Sequence, residues 1–118
     1  MKARITILAA IAAVGCAAAL PQPTALDAQR IADRYPHATV ADLERGRSLY
    51  SKRCSSCHEL FEPARYPGSR WQKELAQMRD RAGLEGDEER LILQYLSAVG
   101  ERPQTAPGTA LSSPGTAF

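Results

Sequence analysis

The stretch Cys54-Ser55-Ser56-Cys57-His58 decides how this chain is read. Two thiols three positions apart, followed directly by a histidine, form the C-x-x-C-H spacing of covalent haem attachment. At the end of a helix, such thiols can both reach the vinyl groups on neighbouring pyrroles of one porphyrin and become thioethers. His58 then lies beneath the iron as proximal ligand. Other uses of the motif fit poorly. A thioredoxin-like redox pair wants a strand before it and a βα unit after it, and neither pattern is visible. A structural zinc site needs a second ligand pair, and only Cys16 and His37 remain. Three cysteines are an odd number, which speaks against a disulfide framework.

Outward from the motif, the spacing of apolar residues is helical and shows no strand alternation. Upstream, Thr39-x-x-Asp42 has the form of a capping box, followed by Leu43, Gly46, Leu49 and Tyr50 up to Cys54. Downstream, Pro63 and Pro67 break the chain into a loop. Ser69-x-x-Gln72 then opens a second helix with Trp71, Leu75, Met78 and Ala82 on one face, and Gly83 is its stop. A third helix begins at Asp87-Glu88-Glu89, acids suited to a positive helix N-terminus, and runs through Leu91, Ile92, Tyr95, Leu96 and Val99. The expected class is all-α, with about three core helices in residues 39–102. So small a set of large apolar side chains fills a core only with help, and a domain below about 70 to 80 residues commonly takes it from a cofactor.

The ends read differently. Residues 1–19 have a basic start, an apolar run too short to span a bilayer, and small residues after it, the pattern of an export signal. Two cleavage sites are open. Cleavage after Ala19 releases a soluble chain; cleavage after Gly15 leaves Cys16 as an acylated N-terminus, residues 1–15 being removed. Residues 20–38, with Pro21, Pro23 and Pro36, are expected to be a tether, and residues 103–118 a disordered tail. The 118-residue chain carries 15 basic and 13 acidic side chains. Without Lys2 and Arg4 the two signs balance, which removes the electrostatic case for a nucleic-acid partner.

Residues 40–100 resemble the small monohaem c-type cytochromes of class I. Gly46-Arg47-Ser48-Leu49-Tyr50 is similar to their N-terminal helix and residues 91–99 to their C-terminal helix. The resemblance implies a cytochrome c-like fold in which those two helices cross beside the haem, with Gly46 as the small residue at the crossing. It also implies a distal methionine. Met78 lies on the middle helix, as in a compact bacterial subtype with a Trp-x6-Met helix after a Pro-containing loop. The other reading of Met78 is core filler on the Trp71–Leu75 stripe, and His37 is the next candidate ligand.

From this follow the functional expectations. One covalent haem c sits on Cys54 and Cys57, with His58 and Met78 as axial ligands. Trp71, Tyr66 and Arg70, together with Arg65, are candidate haem contacts, and Pro63 or Pro67 could offer a carbonyl to His58. The protein is expected to be a periplasmic, monomeric, non-enzymatic electron carrier that meets redox partner proteins. It touches a membrane only through an acylated Cys16, by the usual sorting rule at the outer membrane. Two alternatives are a haem-based gas binder with a labile distal site and a haem subunit docked on a larger oxidoreductase.

Overall fold

The computed structural model describes residues 19–104, and every regular element among them is helical: α1 (Ala25–Arg30), α2 (Val40–Cys54), a 3-10 turn (Pro63–Arg65), α3 (Gly68–Ala82) and α4 (Glu88–Gly100). Residues 1–18, with Cys16 and most of the expected export signal, lie outside the described residues, as do residues 105–118 of the expected tail. No helix among the described residues is long and apolar enough to cross a membrane.

The local signals explain the helix ends. Thr39 caps α2: its hydroxyl accepts the Asp42 N–H at 3.1 Å, while the Asp42 carboxylate accepts the Thr39 N–H at 2.9 Å. Gly83 ends α3 in the left-handed conformation (φ 61°), where its N–H and that of Leu84 turn back to the carbonyls of Asp80 and Arg79. The start of α3 differs from expectation. It begins at Gly68 after Pro67, with no side-chain cap, because the Pro67 carbonyl already accepts the N–H groups of Arg70 and Trp71.

Helix α4 is the centre of the molecule. Residues 91–99 are all buried, with α2, α3, α1 and the 3-10 turn packed around them. The α2–α4 crossing is possible because position 46 is glycine. A Cβ there would overlap the Leu91 carbonyl and approach the Tyr95 Cβ to 2.8 Å. Gly46 therefore earns its place inside a helix by permitting the crossing.

Residues 20–38 are no tether. Ile31 is fully buried and joins Leu43 and Ala98 in a second small core. Asp27 is 1% exposed, and its carboxylate accepts from Arg102 Nη2 (2.6 Å) and Nε (2.9 Å), from Arg30 Nη1 (2.6 Å), and from the Thr24 N–H (2.7 Å) and hydroxyl (2.9 Å). Arg47 donates to the Leu20 carbonyl and Tyr95 to the Pro21 carbonyl. These contacts exclude a freely swinging spacer over this stretch. The short helical turn expected near residues 27–35 is a six-residue helix at Ala25–Arg30, and its partners some 70 positions away are what the proline-rich composition did not show.

Candidate functional site

The C-terminal end of α2 delivers Cys54 into the core, 5% exposed, while the turn that follows leaves Cys57 and His58 at the surface. Both thiols are free. Burial, with Cys57 nearby as a lesser cause, pushes the Cys54 thiol up to about 11. Helix α3 runs so that its C-terminal half faces this turn. Cys54, Cys57 and His58 therefore line one apolar cavity of about 220 Å³ together with Met78, Ala82, Arg53 and Arg81. Four residues expected from the sequence to share a site thus converge, from two helices and the turn between them.

His58 is oriented by its own neighbour. Its Nδ1 lies 2.7 Å from the Glu59 carbonyl. A carbonyl can only accept, so Nδ1 carries the proton and Nε2 is left free as a metal ligand. Neither Pro63 nor Pro67 supplies this carbonyl. The Pro63 oxygen accepts the Trp71 indole N–H at 2.8 Å, and the Pro67 oxygen is taken up by the first turn of α3. The Phe61 ring stacks on His58, centroids 5.5 Å apart and planes 30° apart. Phe61 is in turn held by the Tyr50 hydroxyl, which donates to its carbonyl at 2.7 Å.

The other expected haem contacts form a separate cluster. Trp71 is buried with its N–H satisfied, so its indole has no donor left for a carboxylate. The Arg70 guanidinium lies over the Tyr66 ring at 4.2 Å, and Arg65 lies over Phe61 at 4.9 Å. None of Trp71, Tyr66, Arg70 and Arg65 lines the cavity. His37 is exposed on the segment between α1 and α2 and does not line it either. Ala82 lies on the same helix face as Met78, as its spacing indicated, and the lining residues that sequence reasoning missed are Arg53 and Arg81. Arg81 sits three residues after Met78, a separation that shares a helix face, so the signal was present. Arg53 also reaches Glu88 at 3.0 Å, tying the end of α2 to the start of α4.

A family model described as dihaem cytochrome c matches residues 50–115, more than half of the chain. The chain belongs to the dihaem cytochrome c family. Comparison with curated proteins and with solved structures returns no significant match. For this cytochrome the match corrects one expectation from the sequence. It points to two haem c groups rather than one.

The residues present fit one attachment site well: paired thiols, a histidine with its outer nitrogen anchored, and a thioether sulfur share an apolar cavity. They do not fit a second site of the same kind. Residues 50–115 contain no cysteine besides Cys54 and Cys57 and no histidine besides His58.

Proposed function

We propose that this cytochrome is an exported, non-catalytic electron carrier in which Cys54 and Cys57 bind haem covalently and His58 and Met78 are the axial ligands. The observation that carries the reading is the convergence of these four side chains on one apolar cavity. Haem iron supplies a one-electron couple, and a histidine–methionine pair favours the reduced form relative to other ligand sets. The chain's part is to hold the ligands still. The Glu59 carbonyl and Phe61 ring fix His58 from outside, and Met78 stands on a helix whose buried face, Trp71 and Leu75, is locked in the core. The other lining side chains are Arg53, Arg81 and Ala82. Export rests on the leader-like residues 1–19, and membrane attachment on acylation of Cys16; cell fractionation of wild type and Cys16→Ser tests both.

The decisive experiment for the ligand set is optical. Oxidised wild type should show the weak near-red sulfur-to-iron band, and Met78→Ala should lose it, bind CO and shift to lower potential. A band that survives in Met78→Ala contradicts the assignment. CO binding by the unaltered protein would favour the gas-binder reading.

A further inference from the structure

Three successive carbonyls near the N-terminal end of the domain are each held by a side chain from elsewhere. Leu20 accepts from Arg47 Nε (3.2 Å) and Nη2 (3.1 Å) on α2. Pro21 accepts from the Tyr95 hydroxyl on α4 at 2.9 Å, and Gln22 from Arg102 Nη2 at 2.6 Å. Tyr95 is fully buried, and the Leu20 side chain packs against the main core. From Leu20 onward the chain is part of the body of the domain.

This limits how far an anchor at Cys16 can stand off. Cys16 and Leu20 are four residue steps apart, and an extended chain covers at most about 3.6 Å per step, roughly 14 Å in all. A compact domain the size of residues 19–104 is about 30 Å across. The reach is half the width, too short for the domain to roll over. With the glyceryl group of an acylated Cys16 in the headgroup layer, the face around Leu20 must meet the bilayer.

We propose that the groove between residues 19–20 and the outer side of α2 seats on phospholipid headgroups, held there by the short link Ala17–Ala19. The proposal rests on the acylation of Cys16 put forward above. The groove has the matching chemistry. Ala19, Leu20, Arg47, Ser48, Ser51 and Lys52 line about 260 Å³: two cations, two hydroxyls and no carboxylate. Ser48, Ser51 and Lys52 are exposed and lie three and four positions apart, on one face of α2. Lys52 makes no ion pair among the described residues. Each Lys or Arg close to an anionic bilayer strengthens binding about fivefold. On the other side of the same exit, Ala19, Leu20 and Pro21 share a smaller cleft with Leu60 and Phe61, two and three residues after His58. The one acid there, Glu62, lines this cleft and not the groove. The haem-attachment turn is thereby carried close to the bilayer.

The test exploits the lysines. After Lys2 the chain has two, Lys52 in the groove and Lys73, exposed on α3 and outside the groove. Full-length holoprotein is placed in vesicles of phosphatidylethanolamine with phosphatidylglycerol and treated with a membrane-impermeant amine-acylating reagent. Mass spectrometry then reads the label on each lysine and the acyl mass on Cys16. Relative to Lys73, Lys52 should be labelled about fivefold less on vesicles than in the soluble Cys16→Ser protein. An insert of about fifteen Gly/Ser residues after Ala19 adds roughly 20 Å of flexible chain and should return the ratio toward the soluble value. Neither change touches the packed residues, so the near-red band should persist in both.

A ratio equal on vesicles and in solution would overturn the proposal, as would protection of Lys73 in place of Lys52. Protection unchanged by the insert would also overturn it, because the short link would then not set the orientation. A mature N-terminus without acyl chains on Cys16 removes the acylation reading and the seating together. Acyl chains on Cys16 with Lys52 freely labelled remove the seating alone.

Discussion

The carboxylate of Asp27 accepts five hydrogen bonds from Thr24, Arg30 and Arg102, whereas the ring of His58, at the surface, has one, to the adjacent carbonyl. Around the first group the N-terminal segment, α4 and the residue just past it lock together, and Ile31, Leu43 and Ala98 fill the space between. Around the second, the ends of α2 and α3 leave an apolar cavity between them. One region completes itself with its own side chains. The other is arranged around something added. A small domain can keep both because α2 and α4 span the two: Gly46, Tyr50 and Cys54 lie on one helix, successively closer to the cavity.

If that division is real, damage at the self-sufficient region should lower stability without altering the iron's spectrum. The largest effect is expected for Gly46→Val. Its side chain has nowhere to go but into the Leu91 carbonyl, and overpacking of this kind costs about 3 kcal/mol. Thermal unfolding of the holoprotein should show it, with the near-red band of the folded fraction unchanged. A shifted band would mean that the crossing and the cavity are coupled.

Asp27→Ala comes next. It leaves Arg30 and Arg102 without their shared acid, but both guanidiniums reach solvent, so the cost falls to about 2 kcal/mol, short of that for a fully buried pair. The same pair makes a pH prediction. Burial alone would raise the Asp27 carboxyl, but the hydrogen bonds from Arg102, Thr24 and Arg30 outweigh it and hold the group well below the usual carboxylate range. A depressed carboxyl contributes stability that is fully present above the unfolded value, near pH 4, and is lost as pH falls below it. Wild type should therefore lose stability in acid more steeply than Asp27→Asn. Parallel acid curves for the two proteins would break the clasp account.

The smallest effect is expected for Trp71→Phe, which removes the indole N–H from the Pro63 carbonyl and leaves a modest void, together about 1 to 2 kcal/mol. Trp71 lies between the two regions, under the 59–67 loop. Loss of the near-red band here would show that the loop it anchors also positions Met78 or His58, and would sharpen the boundary between them.

How much of this was legible in the sequence depends on the range of the interaction. Thr39 with Asp42, Gly83 after the Trp71–Ala82 stripe, and the cysteine–histidine motif are all encoded within a few residues, and the structure carries each of them. Gly46 could be picked out because an interior helix glycine wants a reason. The N-terminal segment was misread because its anchors are remote: nothing near Asp27 announces Arg102, and nothing near Leu20 announces Arg47. The carbonyl partners of Trp71 and His58 were not legible for a related cause. Pro63, Pro67 and Glu59 all offer carbonyls in one short loop, and only the backbone path decides which oxygen faces which donor. The haem count was beyond the motif altogether, because one C-x-x-C-H shows one attachment, whereas the family match rests on residues 50–115 as a whole.

The central claim is that the cavity at the end of α2 holds covalent haem through Cys54 and Cys57. Arg53 and Arg65 flank the motif, so trypsin should release residues 54–65 as one peptide containing both cysteines, His58 and Phe61. Mass spectrometry of that digest, with absorbance recorded in the haem band, reads the claim directly. The account predicts a peptide 54–65 heavier by one haem, coloured, and inert to thiol alkylation. A colourless peptide 54–65 of unmodified mass, alkylated at Cys54 and Cys57, would contradict it.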